Sequence, residues 1–307
     1  MSPSFDGLVL IDKPAGPTSH DIVSAVRRAA GRRRVGHSGT LDPPASGLLI
    51  LALGRATRLI RFLRDTPKCY TGTLALGVRT DTDDLAGNVL ERFSGTLPCH
   101  DDVLSAAECF VGHQMQTPPA VSARKVGGER LYKLARRGLS VEAPPSAVDV
   151  FRFELSETDE PGRPAFRADV SGGTYTRSLA RDLGERLGCG GALAGLRRTA
   201  IGPFRVEDAD APPERSTADW EPKSAIPLHE IPLAPPPHRL DAEDATRFVN
   251  GGKIPAPDSE ESPEGEKSPI DAWVRVLGPD DRLLGIGRLE SGLLAPRVVV
   301  TGPDDAA

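Results

Sequence analysis

Val35-Gly36-His37-Ser38-Gly39-Thr40-Leu41-Asp42-Pro43-Pro44-Ala45-Ser46-Gly47 sets one carboxylate, that of Asp42, inside a loop of small and rigid residues. Glycines at 36, 39 and 47 let the backbone turn and approach a ligand closely, while Pro43 and Pro44 remove two N–H donors and stiffen the chain beyond the acid. The apolar run Leu48-Leu49-Ile50-Leu51-Ala52-Leu53 follows at once and reads as a buried strand anchoring the loop to a core. Asp before Pro is also ordinary turn chemistry, so these residues alone leave Asp42 as either a turn former or a presented acid.

Outward from this block the chain alternates strand and helix signals. The stretch Gly7 to Gly16 reads as a short apolar strand stopped by Pro14 and turned by Gly16. Ser19-His20-Asp21 opens a helix that carries Ile22, Val23, Val26 and Ala30 on one face and ends at Gly31. Ala56 to Leu63 reads as a second, basic helix, Tyr70 to Leu76 as a strand, and Asp101 as the cap of a helix through Phe110. Residues 148–154 and 165–171 read as paired strands around the turn Asp159-Glu160-Pro161-Gly162-Arg163-Pro164, followed by a helix from Tyr175 to Leu187. Residues 211–238, punctuated by prolines, read as connector. Beyond them come a helix from Leu240 to a Gly251-Gly252 stop and strands at 273–277, 283–289 and 297–300, a compact β-rich unit. Pro255 to Pro269, rich in Asp, Glu, Ser and Pro, reads as a mobile loop.

A length of 307 residues suits one large domain plus a small one, and no stretch approaches a membrane span. The first residues show no basic region followed by an apolar core, so a cytoplasmic location is expected. Cys69, Cys99, Cys109 and Cys189 lack metal-ligand spacing; neither a metal site nor a disulfide is expected. No paired acids, Ser-His-Asp set or Walker loop announces itself, which leaves an enzyme with one candidate acid.

The net charge of −5 conceals a division along the chain. Residues 1–210 hold 28 Lys and Arg against 25 Asp and Glu, and the remainder holds 10 against 18. Between residues 20 and 64, Arg27, Arg28, Arg32, Arg33, Arg34, Arg55, Arg58, Arg61 and Arg64 face only Asp21 and Asp42. Such a run is commonly a solvated helix face, yet guanidinium groups grip phosphate oxygens bidentately, and a basic strip beside the Asp42 loop suits RNA.

Positions 36–47 resemble the signature Gly-His-[ST]-Gly-[ST]-Leu-Asp-Pro-x-Ala-[ST]-Gly of the TruB branch of the pseudouridine synthases. Asp12-Lys13-Pro14, Lys68-Cys69-Tyr70, Arg79 to Asp83, Arg130 to Arg136, Gly173 to Arg177 and Leu196 to Thr199 resemble further TruB segments in the same order. The resemblance implies an α+β fold. Residues 1–235 would form a mixed, mainly antiparallel sheet flanked by helices, and residues 236–307 a PUA-like RNA-binding domain.

It also implies a reaction, isomerisation of uridine to pseudouridine at position 55 in the T-loop of tRNA. The N1–C1′ bond breaks, the base turns, and C5 bonds to C1′, with no cofactor. Asp42 would be catalytic through attack on C1′, attack on C6, or abstraction of the C2′ proton, ionised in each case. Arg177 would pair with it. Tyr70 would stack on the flipped base and assist loss of the C5 proton. His37 would take the vacated place in the RNA loop, Tyr175 would line the pocket and Leu196 would pack on the base. Lys13 is a candidate substrate contact; it and Lys68 either meet phosphate or flank strands. Val121 and Arg124 depart from the tyrosine and leucine usual in the family.

The implied partner is the T-arm stem-loop of tRNA, bound by a monomer with no obligate protein partner. Two other readings are a guide-RNA-dependent rRNA enzyme and a non-catalytic tRNA-folding chaperone. The chaperone activity would survive Asp42→Asn; isomerisation would not.

Overall fold

The apolar run after the Asp42 loop lies at the centre of the molecule. In the computed structural model the described residues are 5–31, 34–122, 124–126, 128–131, 137, 143–214, 220–256 and 272–301. In chain order the strands are β1 (Gly7–Lys13), β2 (Val35–His37), β3 (Ser46–Leu53), β4 (Lys68–Leu76), β5 (Val78–Thr80), β6 (Val89–Arg92) and β7 (Gly112–Gln116). Then follow β8 (Lys125–Val126), β9 (Glu129–Arg130), β10 (Ser146–Ser156), β11 (Ala165–Val170), β12 (Gly191–Ile201), β13 (Phe204–Arg205) and β14 (Ile226–Pro227). One sheet runs β14-β1-β3-β12-β4-β11-β10-β7, with β2 added to β3 and β13 to β12. Every pairing in it is antiparallel except β3 with β12, so the expected mixed, mainly antiparallel α+β architecture is present.

β3 is apolar at nearly every position because both faces of the sheet are covered there. Leu49, Leu51 and Leu53 pack with Val9, Ile11 and the Ile22, Val23 and Val26 face of helix α1 (Ser19–Ala29). Leu48, Ile50 and Ala52 point the other way, onto Ala56, Leu59 and Leu63 and onto Leu283 and Ile286 of a second sheet. That sheet comprises β15 (Pro237–Arg239), β16 (Ile254–Pro255), β17 (Ala272–Leu277), β18 (Leu283–Glu290) and β19 (Leu293–Val299), in the order β15-β17-β18-β19-β16. Helices α3 (His100–Glu108) and α4 (Thr176–Arg186) cover the other end of the large sheet, Val103, Ala107, Leu179 and Leu183 packing on Leu74, Phe153 and Ala168.

Several expected elements differ in detail. The basic helix at 56–63 is a 3-10 turn, Gly54–Leu59, running into a short helix α2 (Ile60–Arg64). Its arginines are drawn into structure. Arg55 pairs with Asp6, Arg58 donates to the Val299 carbonyl, and Arg61 lies over the Trp273 ring at 4.9 Å. Asp101 does not cap α3; the N-cap is Cys99, and Asp101 sits in the first turn, where a carboxylate favours the helix dipole. The helix expected at 240–252 is shorter, α5 (Ala242–Val249), with the Asp241 side chain as its cap.

The proline-punctuated stretch 211–238 is more than connector. Leu8 pairs with Ile226, and the Ser224 hydroxyl both donates to the Leu10 carbonyl and accepts its N–H, at 2.9 and 3.0 Å. Unpaired backbone groups at the edge of β1 outweigh the local composition. Arg32, Arg33, most of the 130–136 segment and all but the first residues of the 255–269 loop lie outside the described residues.

Among the described residues no helix is long and apolar enough to cross a membrane.

Candidate active site

Strand register assembles the site. Because β12 lies between β3 and β4, Arg198 stands opposite Gly47 on one side and Tyr70 on the other, and Leu196 opposite Gly72. The loop that ends at Gly47 therefore opens directly above Tyr70, Leu196 and Arg198. β11 pairs with β4 through Val170 and Lys68, so the turn after β11, residues 171–174, delivers α4 to the same place. A cavity of about 380 Å³ results, lined by Asp42, Tyr70, Tyr175, Arg177, Leu196 and Arg198 among others.

The loop that carries Asp42 is held there through its main chain. Arg198, only 1% exposed, donates to the carbonyls of Leu48 (2.8 Å) and Gly39 (3.2 Å). The Ser19 hydroxyl at the start of α1 accepts the Leu41 N–H and donates to the Leu41 carbonyl, both at 2.9 Å. Asp42 itself closes a turn, its carbonyl accepting the Ala45 N–H, and the Pro43 carbonyl accepts from Gly16 N–H. Gly47 then returns the chain to β3 with φ +104, and a Cβ there would lie 2.2 Å from the Arg198 carbonyl oxygen. We expect Gly47→Ala to lower stability by more than about 2 kcal/mol, read from the urea midpoint. A change below about 0.5 kcal/mol would contradict the close approach.

The Asp42 carboxylate is 40% exposed and meets the Arg177 guanidinium at 3.0 Å. Arg177 is nearly buried and fixed on three further sides. It donates to the carbonyls of Thr82 (2.8 Å) and Val121 (3.0 Å), and Asp84 lies 3.8 Å away. Val121 therefore contributes through its backbone, and the departure from tyrosine leaves that contact intact. Arg124, the other departure, donates to the Ser146 hydroxyl at 2.7 Å.

Six of the eight candidate residues line this one cavity: Asp42, Lys68, Tyr70, Tyr175, Arg177 and Leu196. His37 lies at the end of β2 and outside the lining. Burial, then the nearby Arg64, push its imidazole below the ordinary range, which keeps it neutral at neutral pH. Lys13 ends β1. It is fully buried, and its ammonium is taken by the carbonyls of Pro14 (2.9 Å), Pro17 (2.8 Å) and Pro43 (3.3 Å). It secures the underside of the Asp42 loop, because no buried ammonium is left without acceptors.

Sequence reasoning gave no part in the site to Ser19, read only as a helix start, to Gln116, or to Arg198. Arg198 alone carried a signal, lying in the Leu196 to Thr199 segment.

Lys68 lines the cavity but donates to the Arg64 and Thr66 carbonyls, both at 2.7 Å. Burial, reinforced by the charge of Arg198, lowers its pKa to about 8. A lysine depressed in the folded state and normal in the unfolded one costs stability below pH 8, and the cost fades as pH rises toward 10.5. Relative to Lys68→Met, the native protein should gain on the order of 3 kcal/mol between pH 8 and 10.5. Parallel pH–stability curves for the two proteins would contradict this.

A partly exposed carboxylate paired with a buried guanidinium, in a cavity also lined by Tyr70 and Leu196, can act as a nucleophile or as a base. Comparison with known proteins gives the family. Residues 27–176 match the TruB family pseudouridylate synthase N-terminal domain, 177–212 the tRNA pseudouridylate synthase B C-terminal domain, and 236–300 the pseudouridine synthase II TruB C-terminal domain. The tRNA pseudouridine synthase B of Thermobifida fusca (strain YX) is 43% identical over 305 residues, covering 97% of this chain and 99% of that protein. Its counterpart from Burkholderia mallei (strain NCTC 10247) is 40% identical over 304 residues, covering 97% and 98%. The fold is shared with a solved Cbf5–Nop10–Gar1 complex, at a TM-score of 0.71 and 24% identity over 98% of this chain and 86% of that one. With the relatives aligned along nearly their whole length, the chain belongs to the TruB family of pseudouridine synthases.

Proposed function

We propose that the protein isomerises the uridine at position 55 in the T-loop of tRNA to pseudouridine. The observation that carries this reading is Asp42, a part-exposed carboxylate at 3.0 Å from a buried arginine in a cavity with an aromatic wall. The names of the relatives, tRNA pseudouridine synthase B, support tRNA as the substrate.

The target nucleotide leaves its stack at a cost of a few kcal/mol and enters the cavity, its base against Tyr70 with Leu196 packing on it and Tyr175 beside it. His37, neutral and outside the cavity, takes the place the base vacates. Asp42 acts on the nucleotide as nucleophile or base, oriented by Arg177. The N1–C1′ bond breaks, the uracil turns, C5 bonds to C1′, and the C5 proton departs with help from Tyr70 while N1 regains one. Reactant and product have the same atoms, so the chemistry calls for no group donor.

Arg64 meets RNA at the rim of the cavity, and RNA beyond it falls to the exposed Arg28 and Arg34 and to a PUA-like domain at 236–307 after a catalytic domain at 1–235. The start of the second sheet at Pro237 supports that division. The test uses the purified chain alone, without guide RNA, on an unmodified tRNA transcript, with pseudouridine mapped by position. Conversion of the T-loop uridine, absent when that uridine is replaced by cytidine, is expected. Conversion elsewhere, or a requirement for a guide RNA, would overturn the reading.

A further inference from the structure

Gln116, the last residue of β7, is 2% exposed, and its amide meets one residue of a distant element twice. Its Oε1 accepts the Tyr175 backbone N–H at 2.8 Å, and its Nε2 donates to the Tyr175 carbonyl at 3.1 Å. A backbone N–H can only donate, so it requires the oxygen of the amide on its side, and the carbonyl then faces the nitrogen. The side chain thus stands where a neighbouring strand would, and it fixes the plane of the peptides flanking Tyr175.

This matters because α4 begins at that point without a side-chain cap. The segment after Gln116 continues the attachment. The Thr117 carbonyl accepts from the Ser178 hydroxyl (2.8 Å) and from Arg181 (2.9 Å), and the Val121 carbonyl accepts from Arg177. Those later contacts use main-chain oxygens, which any residue supplies. Gln116 is the position in the 116–121 segment whose side chain itself makes the attachment. α4 carries Tyr175 as its N-cap and Arg177 in its first turn, and both line the cavity.

We propose that Gln116 is a positioning residue of the active site, setting the Tyr175 peptide and, through it, the Arg177–Asp42 pair. The proposal rests on the pseudouridine synthase reading, which supplies the rate to be measured.

The test compares Gln116→Glu and Gln116→Met with the native protein in single-turnover reactions on tRNA at pH 6 and pH 8. Ionised, the new carboxyl accepts the Tyr175 N–H but turns a second oxygen on the Tyr175 carbonyl; protonated, it donates there as the amide does. Burial pushes such a carboxyl upward toward this pH window. Displacement of a catalytic pair by about 1 Å can cost about 100-fold. Gln116→Glu should therefore react about 100-fold slower than native at pH 8, and its deficit should shrink to within about 10-fold at pH 6. Gln116→Met should stay about 100-fold slow at both pH values, with the Kd for tRNA unchanged in both variants. Native rates in both variants, a Gln116→Glu deficit independent of pH, or tRNA binding and thermal stability lost in step with rate would overturn the proposal. Hydrogen exchange at the Tyr175 N–H is read separately. It should speed up in Gln116→Met even if the native protein forms no pseudouridine, and unchanged exchange would also overturn the proposal.

Discussion

Asp42→Asn is expected to lower pseudouridine formation by about 10⁴-fold or more while tRNA binding stays within a few-fold of native. The carboxamide has nearly the shape of the carboxylate, and the loop that carries it is fastened through main-chain atoms by Ser19, Lys13 and Arg198. Loss of activity in this variant therefore reports lost chemistry rather than a lost loop. The side chain is 40% exposed, so the substitution should move the thermal midpoint little. Single-turnover assays beside a filter-binding isotherm give both numbers. A variant that binds and still converts uridine would remove Asp42 from the reaction. A native protein that only refolds tRNA, equally well with Asn at 42, would make it a chaperone.

Arg177→Met should slow the reaction by about 10³-fold and lower stability by about 3 kcal/mol. The two effects arise at different partners. The rate falls because Asp42 loses the cation at 3.0 Å that orients it. Stability falls because the carbonyls of Thr82 and Val121 lose a donor and Asp84, with a side chain only 12% exposed, loses its neighbouring cation. Arg177→Lys restores little, since one ammonium cannot reach Asp42 and both carbonyls in the fixed fork that guanidinium provides. Rate and denaturant midpoint measured on the same preparations separate the effects. A native rate in Arg177→Met would show that the ion pair serves the fold alone.

Much of the arrangement could be read in the chain because its cues are local. The apolar run 48–53, the helix opening near Ser19 and the alternation at 70–76 each follow from spacing within one element. Asp42, Tyr70, Arg177 and Leu196 could be named because they sit in compact segments that resemble a family. What connects those segments is the register of β12 between β3 and β4, a pairing of residues more than a hundred positions apart, which no local pattern encodes. The place of Lys13 was left between a phosphate contact and a strand end for the same reason, since the Pro43 carbonyl that meets its ammonium lies thirty residues on. Gln116 offered no cue, because its partner is the backbone of Tyr175, and a backbone group has no signature in sequence. The arginine run was read too uniformly. Arg55, Arg58 and Arg61 serve the junction between the sheets and the N-terminus, and fewer remain for RNA than their number suggests.

The most direct test of the account is the structure of the Asp42→Asn protein bound to a tRNA T-arm hairpin. The account predicts the target uridine flipped out of the loop, its uracil on the Tyr70 ring with Leu196 against it, and its C1′ beside residue 42. A uridine still stacked within the RNA, or RNA lying across the C-terminal sheet with the cavity unfilled, would contradict it.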